Sequence, residues 1–386
     1  MKRFFTFVLV LFSISSFLRA EDDVKFRVTP SGRALIDGAF YVAGTEDAFK
    51  NGMAISEARL GVKMQYGKWS SWIDVGFAYA RIGLRNMWIQ YDFNSHHSLR
   101  IGNFLQPFGI QGVSTTSLKS TFEQPLASAL FTPGLRLGGM YTFQNKSFYS
   151  STSFHVESGA LTQVMNYPEF NKQGLTLVSR FVWRNRSEGD GNQLIQIGVS
   201  GAISSPERRT EDGIDIHDSF SNSANFPTKV SNKEAIGVKV DKARLLIKAT
   251  PELLLSKGKL AAQAQYFIQG VKRKDNLDTY ISQSGYVTLR GIIFGQDYGY
   301  DPVGAQLGNP KKNTLECVLD YNYATLSDKK AMIYGGKANS FNVTFNYYFN
   351  PYITARLNYS HTHVWDKYDS EPLTQNAIQA RIMVLF

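Results

Sequence analysis

Along most of the chain, apolar and polar residues alternate one for one. Ile378, Ala380, Ile382, Val384 and Phe386 interleave with Gln375, Ala377, Gln379 and Arg381. Ile353, Ala355, Leu357 and Tyr359 interleave with Thr354, Arg356, Asn358 and Ser360, and Phe341 to Phe349 follows the same rule. Near the other end, Ala58, Leu60, Val62, Met64 and Tyr66 alternate with Arg59, Gly61, Lys63 and Gln65, and Ile73, Val75 and Phe77 with Asp74 and Gly76. A period of two belongs to an extended strand whose side chains point to opposite faces. The segments run to about ten residues, the span of a tilted strand crossing a bilayer and longer than the 5 or 6 usual in soluble sheets. Tyr66, Trp69, Tyr79, Tyr91, Phe93, Tyr347, Tyr348, Phe349 and Tyr352 gather at segment ends, where interfacial girdles belong. The pattern predicts an all-β transmembrane antiparallel barrel.

Sixteen segments are expected, beginning near Gly32, Ala54, Trp69, Leu84, Leu99, Leu135, Phe148, Gly174, Leu194, Ile236, Lys259, Ser284, Asn313, Ala338, Tyr352 and Thr374. Such barrels have short periplasmic turns and longer external loops. Gly67-Lys68, Asn94 to His97, Gln144 to Lys146 and Asn350-Pro351 fall where short turns belong, and Leu105 to Pro133, Ser158 to Gln173 and Ser205 to Ala235 where external loops belong. Gly295 to Lys312 resists: it lands on the periplasmic side and is too long for a tight turn, so either that turn is extended or the count slips there.

With 386 residues, 43% of them hydrophobic and 19% charged, the chain can fill a large domain, which excludes disordered and collagenous classes. Nothing after residue 20 reaches the roughly 18 apolar residues of a spanning helix. Met1-Lys2-Arg3, the apolar run Phe4 to Phe12 and the small-residue approach to Ala20 read as a signal peptide over residues 1–20, leaving 21–386 as one barrel domain exported to the bacterial outer membrane. The net charge of +10 includes Lys2, Arg3 and Arg19, so the exported part carries +7. That charge is dispersed over strands, which argues against nucleic acid as a partner. Cys317 is the single cysteine and excludes a disulfide framework or a cysteine-based zinc site; it falls with Leu315, Leu319 and Tyr321 on the lipid side.

If apolar faces meet lipid and lipopolysaccharide, the opposite faces line a lumen. They supply Arg33, Arg59, Lys63, Arg100, Arg244, Lys248, Arg356 and Arg381, with counter-charges Asp37, Glu57, Asp74, Asp92, Glu316 and Asp320. Fixed cations in a narrow aqueous passage favour anions, so mild anion preference is expected. The competing reading pairs these charges across strands. The third external connection, Leu105 to Pro133, is too apolar to hang in solvent, and folding inward would let Thr115, Thr116, Ser117, Lys119 and Ser120 narrow the passage.

Other chemistries leave weaker traces. His361-Thr362-His363 shares one strand face, yet no acidic cluster completes a triad or a three-ligand site; an interfacial belt and the absence of an enzyme, metal or cofactor are expected. The alternatives are a surface-binding or adhesion barrel without an open pore, because Glu207, Arg208, Arg209, Glu211, Asp212, Asp215 and Asp218 make the Ser205 to Ala235 loop polar, and, ranked below it, a barrel hydrolase using the His361-Thr362-His363 pair. The calcium-loop pattern is absent, so a solvated, mobile loop is expected.

Several runs together resemble the phosphate-selective porin O and P family: Ser31 to Gly38, Glu57 to Gly61, Arg100 to Phe104 followed by Gln106 to Gly109, and Thr115 to Ser117. In the second half the same order holds through Ala264 to Phe267, Ser284 to Gln296, Thr314 to Glu316, Asn346 to Tyr348 and the terminal Phe386. The resemblance implies a sixteen-stranded outer-membrane porin, usually trimeric, passing small inorganic or organic anions passively, with the third loop folded inward. Members named for phosphate carry paired arginines just before the alanine of the second strand. Arg33 matches a further family arginine, but those two positions read Ser56 and Glu57 here. An anionic Glu57 would oppose phosphate, so the porin role carries over and phosphate specificity does not.

Overall fold

The computed structural model describes residues 25–42, 48–78, 82–156, 173–187, 192–211, 214–217 and 219–386. The expected signal peptide, Tyr79, and most of the Ser158 to Gln173 loop lie outside the described residues. Sixteen antiparallel strands close into a barrel. They are β1 Arg27–Tyr41, β2 Gly52–Tyr66, β3 Trp69–Gly76, β4 Gly83–Asp92, β5 His97–Leu105, β6 Leu135–Gln144, β7 Phe148–Val156 and β8 Leu175–Ser187. The second half comprises β9 Gln193–Ser204, β10 Ala243–Lys257, β11 Leu260–Arg273, β12 Tyr280–Phe294, β13 Thr314–Asp328, β14 Ile333–Tyr348, β15 Ile353–Lys367 and β16 Leu373–Leu385. Closure joins β1 to β16 from Arg33 opposite Leu385 to Tyr41 opposite Ala377. At that seam Gly32 N donates to Phe386 O at 2.7 Å, and a side chain on Gly32 would collide with the Phe386 ring.

The count of sixteen holds, and Gly295 to Lys312 is a true extended periplasmic connection. Several strands begin up to five residues before their expected starts, as at Arg27 and Ile333, and one start moves further, in the other direction. The tenth strand begins at Ala243, because Glu234–Val240 pairs instead with Phe220–Asn225 as a hairpin of the external loop. Ile236, being apolar and β-branched, prolongs the period-two pattern past that turn, which hides the junction from a reading of periodicity.

The two faces sort as the alternation requires. Ile382 is 45% exposed on the outside, while its neighbour Arg381 is 2% exposed inside. Outward aromatic contacts gather at the periplasmic rim: Trp69 to Tyr91 at 4.7 Å, Tyr91 to Phe93 at 5.1 Å and Tyr347 to Phe349 at 4.5 Å between ring centres. Tyr348 departs from this girdle. It points inward, buried, with its hydroxyl donating to Glu316 at 2.9 Å. His361 and His363 bond to Asn376 and Thr374 on β16 at 2.7 and 2.8 Å, the polar rim contacts expected of an interfacial belt.

The third external loop, residues 106–134, folds into the barrel. Phe108, Ile110, Leu126 and Phe131 are buried in its interior-facing core, and Phe131 stacks on Phe267 of β11 with ring centres 5.8 Å apart. These side chains account for the loop's apolar composition: docking on the inner wall removes them from water. The second half of the long external connection between β9 and β10, residues 219–242, also packs inward rather than standing free. Phe226 is buried against Phe49, Tyr41 shares a 2.8 Å hydrogen bond with Thr228, and Gln379 donates to Pro227 O at 2.9 Å. That corrects the expectation of a solvated loop for residues 219–235; the side chains of residues 208–218, which carry most of the acidic cluster on which it rested, lie outside the described residues.

Candidate functional site

Each of the eight strands β9 to β16 contributes a polar side chain to the third loop. Gly109 N donates to Ser200 Oγ at 2.9 Å, Lys248 Nζ to Phe131 O at 2.8 Å, and Gln111 N to Gln265 Oε1 at 3.4 Å. Ser284 Oγ donates to Ala127 O at 2.7 Å, and Ala127 N to Asn322 Oδ1 at 3.2 Å. Asn346 donates to Ser120 O at 2.8 Å, Arg356 to Thr121 O at 2.8 Å, and Arg381 to Phe122 O at 2.5 Å. A loop inside a barrel leaves backbone N–H and C=O groups unpaired unless the wall supplies partners, and here five strands supply donors and three, β9, β11 and β13, supply acceptors.

This arrangement divides the nine basic positions read from sequence. Lys248, Arg356 and Arg381 face the lumen as expected, but the loop covers them, so they serve as its anchors and not as open lining. Arg381 also makes a two-pronged pair with Asp37 at 2.7 Å for each bond and contacts Glu123. Arg244 is corrected outright: it is the extra residue of a bulge between Ala243 and Leu245, exposed at the external end of β10. Arg33 and Arg59 both engage Glu57, Arg33 at 2.6 Å, and Arg59 reaches Asp74 at 3.5 Å. Arg33 also donates to Thr116 Oγ1 at 3.2 Å, tying the loop to β1. The pairing reading is therefore right for this cluster, and Glu57 is neutralised by two arginines.

Glu316 belongs to a different buried group. It accepts from Arg290 at 2.7 Å and from the Tyr298 and Tyr348 hydroxyls at 2.9 Å each. Asp320 accepts from Thr288 at 2.8 Å and from Asn322 at 2.5 Å. Arg290 was not singled out by sequence, nor were Arg180, Arg184 or Glu252. Their signal was available: each shares its strand parity with inward polar residues.

The long periplasmic connection 295–313 folds up into the lumen. Arg180 and Glu252, both fully buried, form a two-bond pair at 2.7 and 3.0 Å, and Arg180 donates onward to Gly304 O at 2.7 Å and Ala305 O at 3.0 Å. Arg184 donates to the Tyr300 hydroxyl at 3.0 Å. The connection then meets the third loop from below, through Gln306 on Ser114 and Asn309 on Ser117 O. Replacing Glu252 with alanine strands Arg180 and loosens this connection. Cleavage by trypsin after Lys311 and Lys312 is expected to speed up at least about tenfold, read by gel on detergent-solubilised protein.

A cavity of about 1030 Å³ stays open between the inner wall of β1 to β7, the third loop at Thr115 and Leu118, and the periplasmic connection at Asp301 to Gln306. Arg27, Lys63, Lys68 and Arg100 line it, against Asp92 and Asp301. A smaller cavity of about 310 Å³ lies beside it, with Lys146, Arg184, Arg186 and Tyr300 in its wall. Lys63 stands 5.0 Å over the Trp72 ring, and Arg100 4.2 Å over Trp88. Of the expected constriction residues, Thr115 faces the cavity, Ser117 and Ser120 offer carbonyls to the scaffold, and Lys119 donates to Gln124 at 2.7 Å. Burial lowers the Lys119 ammonium to about 8; Lys229 and Arg33 push the same way and Glu123 opposes them. Glu123 is held down at about 2: burial would raise it, but Lys229 and Arg381 outweigh that.

A family model described as phosphate-selective porin O and P matches residues 40–386. No curated protein sequence matches. Among solved structures, the trimer form of in-vitro folded OmpT, an outer membrane protein of Vibrio cholerae, superposes with a TM-score of 0.57 at 10% identity, covering 94% of this chain and 99% of that one. The outer membrane channel DcaP of Acinetobacter baumannii gives 0.54 at 11% identity, over 94% and 97% of the two chains. OmpF of Salmonella typhi, solved with daunomycin, gives 0.52 at 12% identity, over 93% and 97%.

Proposed function

The chain belongs to the phosphate-selective porin O and P family and is an outer-membrane diffusion channel rather than an enzyme, and from that premise we propose that it prefers small anions without being specific for phosphate. The observation that carries the preference is the lining of the main cavity, where four basic side chains face two acidic ones. Fixed positive charge in a confined aqueous path lowers the energy of anions and raises that of cations. Arg33 and Arg59, the arginines nearest the second-strand position, are already engaged by Glu57 and Asp74, which leaves no unpaired arginine cluster there for a dianion. The working form is a homotrimer, as in the trimer form of OmpT. The outer, apolar face meets membrane lipid and lipopolysaccharide, and residues 1–20 act as a removable export signal.

Reversal potentials in a potassium chloride gradient across a planar bilayer test the preference. The expected sign is that of chloride moving faster than potassium; the opposite sign would defeat it. Lys119 adds a pH dependence. Its ammonium is charged below about 8 and neutral above, so raising the pH from 7 to 9 removes one positive charge from the third loop. Chloride preference is then expected to fall over that interval in the native protein and to stay flat in Lys119→Met, as read by the same reversal potentials.

A further inference from the structure

Building on the reading of the main cavity as the anion path, we propose that it selects planar aryl carboxylates over compact anions. The strands that form its wall put Lys63, Trp72, Trp88 and Gly102 in directly opposed register, one residue from each of β2, β3, β4 and β5. The row makes an aromatic platform: the Trp72 and Trp88 rings stand perpendicular at 6.4 Å, edge to face. Gly102, at φ +134°, closes the row because any side chain there would strike the Met87 carbonyl and the Trp88 backbone. Only glycine lets Trp88 seat at that position.

Two cations sit on this platform. Lys63 lies over Trp72, and the Arg100 guanidinium lies over Trp88 with Phe104 5.7 Å away. Arg100 is held in place by two bonds to Gln90 Oε1, at 2.9 and 2.7 Å, which leave its remaining nitrogen uncommitted. Among the described residues neither cation makes a direct ion pair, in contrast to Arg33, Arg59 and Arg381; the carboxylate nearest in the network is Asp92, which accepts from the far end of Gln90 at 2.7 Å and so reaches Arg100 only through that amide. A guanidinium fixed by an amide and stacked on an indole is preorganised for a planar carboxylate. The ring edges around it offer apolar and edge-to-face contact to a flat hydrocarbon body. Phosphate is compact, tetrahedral and strongly hydrated, and gains nothing from the indoles; acetate satisfies the arginine and leaves the platform unused.

The test is block of chloride current through single channels by benzoate, acetate and inorganic phosphate. Benzoate is expected to halve the current at a concentration about tenfold lower than acetate, the ratio that one aromatic contact supports, and lower than phosphate. In Trp72→Leu the ratio of benzoate to acetate block should shrink toward one, whereas in Arg100→Gln both carboxylates should weaken together. Resistance to unfolding in detergent gels, read on each variant, confirms a closed barrel, so the two variants stand as independent readouts. An open, anion-preferring channel in which benzoate and acetate block alike, or phosphate blocks best, would overturn this inference and leave the anion path intact. A channel that prefers potassium would overturn both.

Discussion

Deleting Thr115 to Ser120 is expected to raise single-channel conductance by at least about twofold, because conductance follows the narrowest cross-section and these residues form the inward edge of the third loop. Thr115 and Leu118 face the main cavity, Thr116 reaches Arg33 on β1, and Ser117 receives Asn309 from the periplasmic connection. The rest of the loop has its own hold on the wall. Gly109 and Gln111 stay bonded to β9 and β11, and Phe131 stays stacked on Phe267. The deletion removes the seat of Asn346 on Ser120 O, but each of the other seven strands keeps a contact outside it, so the shortened loop should remain docked while the passage beside β1 to β7 widens. Planar-bilayer recording checks this, and unchanged conductance would place the constriction elsewhere.

Arg381→Ala is expected to cost the barrel about 3–5 kcal/mol, the penalty typical of stranding a buried carboxylate. Arg381 is nearly fully buried and is the shared partner of Asp37, Glu123 and the Phe122 carbonyl. Its loss leaves Asp37, itself 1% exposed, without that counter-charge. Adding Asp37→Asn to the variant removes the stranded charge and should recover a substantial part of the loss, which distinguishes an electrostatic cause from lost packing. Denaturant unfolding of detergent-solubilised protein, followed by tryptophan fluorescence, gives the measurement. Equal stability of Arg381→Ala and the native protein would contradict the anchoring role.

The barrel was legible because strand periodicity is local: each residue's face is set by its neighbours two positions away, and Ile378 to Phe386 or Phe341 to Phe349 declare it without help. The charges were legible in direction and not in role. Arg356 and Arg381 do face inward, but whether such a side chain meets solute or backbone depends on a loop more than 220 residues earlier in the chain. Composition signalled that the loop folds inward, since its phenylalanines had to be covered, yet nothing local says which wall covers them. Trp72 and Trp88 escaped notice for another reason. Tryptophan in a membrane strand suggests a girdle, although both share parity with polar residues, Trp72 with Ser70 and Asp74, Trp88 with Asn86 and Gln90. The periplasmic connection announced itself only by its length.

The third loop precedes every strand to which it is pinned from β9 onward. It therefore has no complete seat until the C-terminal half of the ring is in register, and the last of its wall bonds in sequence order comes from Arg381 on β16. A half-assembled barrel is then necessarily wide, and the narrow form of the channel comes into being only when closure is complete, so that docking of this one segment serves as the signature of finished assembly.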